Sequence, residues 1–205
     1  MPASPRESAA PVHRRREAAL FLWKWLQSPR RVGAIWPSSR RLGRALAAEV
    51  DLAVPGAVVE LGAGTGNVTE CLLQAGVPAD RLIALELDPA LAKVLRRRFP
   101  EIRVVEGDAG ALSDILRAEG VERAAAVVSC LPLVSIPGPV VRRIVTEIFA
   151  VLHPDGQMIQ FTYGLTSPVP LRHFGHLGLD ARRMRRVWQN VPPASVWRYR
   201  RASAG

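Results

Sequence analysis

The segment richest in chemistry is Val58-Val59-Glu60-Leu61-Gly62-Ala63-Gly64-Thr65-Gly66-Asn67-Val68-Thr69, an apolar run, a glycine-rich turn and a helix start. Glycines in such a turn let the backbone pass close to a ligand with no Cβ in the way, at the carboxyl edge of a sheet where doubly wound folds bind nucleosides. A dinucleotide fingerprint would want glycines at 62, 64 and 67, but position 67 is Asn and no G-K-[ST] phosphate loop is present. The spacing is G-x-G-x-G. Glu86 ends the next apolar run, twenty residues past Gly66, where a carboxylate at a solvent-facing strand end can accept both ribose hydroxyls. Asp108, in Val104-Val105-Glu106-Gly107-Asp108-Ala109, ends the run after that and can accept an adenine amino group. Taken singly, Glu86 reads equally as an exposed charge and Asp108 as a helix cap. Three such features in this order point to a nucleoside site.

The elements that must hold these residues alternate from Ala57 onward between short β-branched runs and amphipathic stretches, which is the pattern of crossover units and a parallel sheet. Strands are expected at 58–61, 82–86, 103–106, 125–129 and 158–163, with helices near 68–75, 89–99, 111–117 and 139–151. Asp88 and Pro89 supply the cap and first turn of the second of these helices. Residues 186–191 and 195–201, flanking Pro192-Pro193, read as a terminal antiparallel pair. The fold class is therefore α/β: a doubly wound, mostly parallel seven-stranded sheet with an N-terminal helical extension. Residues 1–11 lack periodic apolar signal and read as a disordered tail. Residues 12–50 read as two amphipathic helices, one from about Arg15 to Gln27 and one opened by Ser38-Ser39 and running to Val50. The nucleoside-binding domain occupies 51–205.

A chain of 205 residues, 48% of them hydrophobic, buries one substantial core but not two. Cys71 and Cys130 stand far apart in no metal-ligating pattern, so neither a disulfide framework nor a zinc site is supported, and a reducing, cytoplasmic setting is expected. Arg14-Arg15-Arg16 followed by the apolar stretch from Ala18 to Leu26 superficially resembles a secretory leader. Lys24 interrupts it, no small-residue cleavage site follows, and it falls short of the roughly 20 residues of a membrane span. The formal net charge of +10 is segregated. Residues 1–44 carry ten Arg and Lys against Glu7 and Glu17, and residues 165–205 carry eight Arg against Asp180, while the middle is acidic. Cationic ends favour an anionic surface as partner, either nucleic acid or lipid headgroups.

With these motifs in place, residues 57–163 resemble class I S-adenosylmethionine-dependent methyltransferases. The resemblance implies S-adenosylmethionine as cofactor, S-adenosylhomocysteine as product, and no metal. It implies that Glu60, Gly62, Ala63, Gly64, Gly66 and Asn67 hold the methionine end of the cofactor, that Glu86 and Leu87 flank the ribose, and that Asp108 with Ala109 faces the adenine. Ser129 and Leu131, after the fourth strand, would lie beside the sulfonium.

The acceptor is read from Ser129 to Leu133. Ribosomal RNA adenine dimethyltransferases carry Asn-Leu-Pro-Tyr here, an amide to orient the base and a ring to stack it, where this chain has Cys130-Leu131-Pro132-Leu133. Base recognition leans on stacking worth roughly 1–3 kcal/mol per base, so a nucleobase acceptor is disfavoured and an aliphatic amine suits the pocket better. Together with Gly33-Ala34-Ile35-Trp36-Pro37-Ser38-Ser39 and Gln160-Phe161-Thr162-Tyr163-Gly164, the pattern resembles bacterial phosphatidylethanolamine N-methyltransferases across most of residues 20–201. That resemblance implies stepwise methylation of the ethanolamine amine toward phosphatidylcholine by an enzyme peripheral to the cytoplasmic membrane face. It implies membrane or lipid contact by Arg14, Arg15, Arg16, Trp23, Trp25 and Trp36. Tyr163 and Ser129 are the candidates for orienting the amine, and Arg172, Arg198 and Arg200 those for headgroup phosphate. The competing reading is a ribosomal RNA or other nucleic-acid adenine N-methyltransferase, which the basic ends would also suit.

Overall fold

The structure, a computed structural model, describes residues 39–190 and 192–202. The expectations for Arg14, Arg15, Arg16, Trp23, Trp25 and Trp36, and for the first of the two N-terminal helices, lie outside the described residues.

The chain runs α1 (Arg40–Ala47), β1 (Ala57–Leu61), α2 (Asn67–Gln74), β2 (Leu82–Glu86), α3 (Pro89–Arg98), β3 (Arg103–Glu106), α4 (Leu112–Ala118), β4 (Ala124–Ser129), α5 (Gly138–Val151), β5 (Leu152–Thr162), β6 (Leu179–Val187) and β7 (Ala194–Arg201). The strands form one seven-stranded sheet in the order β3-β2-β1-β4-β5-β7-β6. Strands β1 to β5 are parallel, and β7 is antiparallel to both β5 and β6. The crossovers run outward to one side from β1 and then outward to the other from β4. The carboxyl ends of β1 and β4 therefore flank the switch point, where such sheets leave a crevice. β2 and β4 are buried along their whole length, which is why both read as unbroken apolar runs.

Local chemistry fixes the helix starts. The Asp88 side chain accepts the amides of Ala90 and Leu91 with Pro89 in the first turn, and Ser39 accepts the amide of Leu42. Helix α1 ends at Ala47, earlier than the expected Val50. Leu42, Ala45 and Leu46 of α1 join the cluster formed by Val58, Leu72, Leu82 and Ile159, so this helix is part of the core beside the sheet. Gly43 permits the approach, since a Cβ there would stand 2.7 Å from Cys71 Sγ on α2.

Two strands differ from expectation. β5 begins at Leu152, six residues early, because it pairs with β4 on both sides of a bulge: Leu152 faces Ala124 and Gln157 faces Ala126. Gly156 serves that bulge, where a Cβ would come within 2.9 Å of the His153 carbonyl. β6 spans Leu179–Val187 rather than 186–191. Its run Arg182-Arg183-Met184-Arg185-Arg186 has no apolar alternation because the strand is the exposed edge of the sheet, where charge blocks pairing with other chains.

Candidate functional site

The glycine turn leaves β1 at the switch point and its three glycines divide the work. Gly62 has φ +72°, and a Cβ there would stand 2.8 Å from Leu131 Cδ2, so the turn lies directly against the strip that follows β4. Gly66 has φ +85° and would drive a Cβ to 2.3 Å from Phe99 Cε2; it is the left-handed entry to α2, packed on α3. Gly64 has φ +58° with nothing within 4 Å of a Cβ, so it alone of the three faces open space. Asn67 is the first residue of α2, and Ala63 is buried with its carbonyl accepting the Gly66 amide at 2.9 Å.

Glu86 lies at the end of β2, as expected, but it is 3% exposed and not solvent-facing. Its Oε2 accepts the Gly64 amide at 2.7 Å, and its Oε1 accepts the amides of Leu87 and Asp88 at 2.9 and 3.0 Å. The carboxylate is thus a brace for the glycine turn first. Oε2 keeps acceptor capacity for a ribose hydroxyl beyond the one amide it holds. Asp108 at the end of β3 spends Oδ1 on the Gly110 amide at 2.9 Å, the capping role, while Ala109 is buried behind it.

Glu60 is wholly buried on β1. Its Oε2 accepts the Thr69 hydroxyl at 2.6 Å, whereas Oε1 has no hydrogen-bond partner although water cannot reach it. Burial pushes its carboxyl up to about 7, against the Thr69 hydrogen bond and with help from the nearby Glu86 charge. An orphaned carboxylate oxygen two residues ahead of the glycine turn fits a cationic amino group, which is what the methionine end of S-adenosylmethionine presents. When bound, that cofactor supplies an electrophilic methyl group. The residues that would hold it are Glu60 and the Gly62–Gly66 turn at the amino acid end, Glu86 at the ribose and Asp108 at the base.

Beyond β4, the Ser129 hydroxyl is fully buried without a partner, between Leu61 on β1 and Gln160 on β5. Gln160, also fully buried, donates to the carbonyls of Leu131 and Phe161, both at 2.9 Å, and so fixes the strip after β4 to β5. Burial and the carboxylates of Glu60 and Glu86 push the Cys130 thiol well up, which keeps it neutral and a poor nucleophile. Tyr163, next after β5, is 38% exposed with its ring edge-on to Phe161 at 5.5 Å. Partial burial raises its phenol, and hydrogen bonding with Asn190 pulls the other way.

Asn190 was not among the expected site residues. It is buried, accepts the Ser39 hydroxyl and donates to the Pro192 carbonyl at 2.7 Å, joining α1 to the β6–β7 connection beside Tyr163. The signal for it was the polar residue just ahead of Pro192-Pro193. Gln160, inside the quoted Gln160-Phe161 motif, also had its structural role unread.

The arginine expectations fare unequally. Arg200 pairs with Gln157 Oε1 at 2.8 Å and lies 3.6 Å from Asp51, at the amino edge of the parallel strands, so it is a structural tie and not a contact at this site. Arg198 pairs with Ile159 and Arg182 in mid-strand, about 13 Å along β7 from the site edge at ~3.3 Å per residue. Antiparallel β7 runs away from the site, which the sequence does not show. Arg172 is exposed in the β5–β6 connection. A separate cleft of about 410 Å³, lined by Gly56, Arg81, Arg123 and His153, opens at the opposite edge and contains none of the expected site residues. Among the described residues no group of His, Cys, Asp or Glu gathers to hold a metal, and no helix is long and apolar enough to cross a membrane.

A seven-stranded sheet of this order, with a glycine turn and acidic strand ends at its switch point, defines a Rossmann-like methyltransferase architecture. The family model described as a methyltransferase domain matches residues 58–156. The ornithine lipid N-methyltransferase of Singulisphaera acidiphila is 35% identical over 181 residues, covering 87% of this chain and 93% of that protein. Ribosomal RNA small subunit methyltransferase A of Thermotoga petrophila is 37% identical over 114 residues, 56% of this chain but 41% of that protein. In three dimensions, the 1,6-didemethyltoxoflavin-N1-methyltransferase of Burkholderia thailandensis, solved with S-adenosylhomocysteine, superposes with a TM-score of 0.68 at 19% identity, covering 98% of this chain and 94% of that one. The chain belongs to the class I S-adenosylmethionine-dependent methyltransferases, and S-adenosylmethionine is its cofactor.

Proposed function

We propose that this enzyme transfers methyl groups to the amine of a membrane lipid headgroup, with phosphatidylethanolamine and its methylated intermediates as acceptors, stepwise toward phosphatidylcholine. The observation that carries the lipid reading is the relationship to a lipid N-methyltransferase along nearly the whole of both chains. The site supports it in two ways. Glu60, Glu86 and Asp108 make the switch-point edge acidic, which draws an ammonium group and repels a polyanion. The Cys130-Leu131-Pro132-Leu133 strip offers neither the amide nor the ring that a base amine would use.

Attack on a methyl group needs a neutral amine in line with the departing sulfur, at roughly 3–3.5 Å. An alkyl ammonium must therefore lose its proton on entry. Tyr163 orients the amine through its hydroxyl or ring face, and Ser129, with a buried unpartnered hydroxyl, supplies a second acceptor. The proton leaves to water through the exposed side of Tyr163. The enzyme works from the cytoplasmic face of the membrane, with Arg14, Arg15 and Arg16 drawn to anionic lipid and Trp23 and Trp25 at the interface.

The nucleic-acid reading has one observation behind it, the 37% identity to an RNA methyltransferase, but that likeness spans 41% of that protein. Incubation with labelled cofactor and separate vesicles of phosphatidylethanolamine or ornithine lipid, alongside RNA, decides. Label in phosphatidylethanolamine is the expected result; label in ornithine lipid alone would move the acceptor within the lipid class, and label in RNA alone would overturn the lipid reading.

A further inference from the structure

A second surface, apart from the cofactor site, gathers positive charge around an exposed indole. Arg41 and Arg44 stand on the outer face of α1, three residues apart, and face Arg185, Arg186 and Trp188 at the end of the edge strand β6 across a groove of about 610 Å³. Among the described residues no acidic side chain lines it. Arg185 is already committed, to Glu49 at 3.2 Å. Arg186 lies over the Trp188 ring at 4.3 Å with its Nε shielded and without a partner, and Trp188 is 68% exposed.

The groove also lies at a telling place. Val187 pairs with Ala194 and Thr162 with Ser195, so the end of β6 is at the same sheet edge as the end of β5, where Tyr163 stands. A body docked on the groove faces the acceptor side of the site.

We infer that this groove docks the enzyme on an anionic bilayer, with Arg41, Arg44 and Arg186 on lipid phosphates and Trp188 inserted at the headgroup level. Charge selects the occupant. The chain's own segment ahead of Ser39 carries seven Arg and Lys against Glu7 and Glu17, so its net charge has the same sign as this lining. An arginine pair with a tryptophan suits a surface that is anionic outside and apolar beneath, since indoles favour that boundary. Nucleic acid would engage the arginines and can stack a base on the indole, but only a bilayer places an apolar layer beneath its anionic surface. The inference rests on the lipid-acceptor reading for its sense, although its measurement is independent of turnover.

The test uses the full chain and sedimentation with phosphatidylcholine vesicles, with and without phosphatidylglycerol. Arg41→Ala with Arg44→Ala, on an exposed helix face where Ala is well tolerated, should weaken binding to the anionic vesicles by about 25-fold, at roughly fivefold per arginine near such a surface. S-adenosylhomocysteine affinity should not change. Brominated lipid should quench part of the fluorescence, and Trp188→Phe should remove that part. Unchanged vesicle affinity in the folded double variant, no loss of quenching in Trp188→Phe, or release of the protein by RNA but not by competing phosphatidylglycerol vesicles would each overturn the proposal. Absence of methyl transfer to detergent-dispersed lipid would instead overturn the acceptor reading and leave the groove standing.

Discussion

Glu60 makes the sharpest prediction, because one buried carboxylate couples folding, pH and cofactor binding. Its folded carboxyl titrates at about 7 against 4.5 for the ordinary value. The folded protein therefore holds this proton more tightly than the unfolded chain, and stability is greatest below pH 4.5, falls as pH rises to 7 and is flat beyond. At 1.36 kcal/mol per pH unit the full loss is about 3 kcal/mol, most of it between pH 5 and 8. Glu60→Gln removes the titration. Its amide keeps an oxygen for the Thr69 hydroxyl but adds a buried donor without an acceptor, a cost of about 1–3 kcal/mol that does not depend on pH. The quantity to measure is thus a double difference: urea unfolding of apo protein, wild type and variant, at pH 5 and pH 8. The variant should gain about 2–3 kcal/mol on the wild type over that interval. S-adenosylhomocysteine binding by calorimetry should show the converse, with wild-type affinity falling by about fivefold from pH 7 to 6 as Glu60 protonates, and the variant weak and flat. A stability difference constant within about 0.5 kcal/mol would refute the buried, unpartnered carboxylate.

Other variants separate brace from ligand. Glu86→Ala strips the acceptor from the Gly64, Leu87 and Asp88 amides and should cost several kcal/mol of stability as well as cofactor affinity, at about 1–3 kcal/mol per orphaned group; a loss of affinity with an unshifted melt would restore a purely ribose-binding role. Gly66→Ala should cost about 2–5 kcal/mol in thermal unfolding, from left-handed strain plus the Phe99 clash, while Gly64→Ala costs about 1–2 kcal/mol and acts mainly on S-adenosylhomocysteine binding. Equal effects of the two on stability would contradict the division of labour in the turn. Tyr163→Phe should lower turnover on lipid, within the up to 10²-fold range for a helped proton transfer, and leave cofactor affinity alone; full activity would remove the hydroxyl from the reaction.

The parallel half of the fold and the nucleoside site were legible because each of their signals is local. A strand buried on both faces must be apolar throughout, a helix start needs its cap, and a left-handed turn needs glycine, so Val58 to Thr69, Leu82 to Pro89 and Val104 to Asp108 each announce themselves. What stayed hidden depends on distant partners. The bulge of β5 needs the small Gly156, but what places it is the pairing with Ala124 and Ala126 on β4. The edge strand β6 shows no alternation because one side of it has no neighbour. Burial of Glu86 follows from the glycine turn folding over it, and the fate of Arg200 from the antiparallel direction of β7, which brings Gln157 and Asp51 to it.

The Ser39 hydroxyl holds two bonds at once, accepting the Leu42 amide and donating to Asn190. The first turn of α1 and the amide that hydrogen-bonds the Tyr163 phenol therefore share one hydroxyl. Removing it, as in Ser39→Ala, should loosen the helix start and leave the phenol less acidic, so one tyrosine reports on the state of a helix cap far from it in sequence.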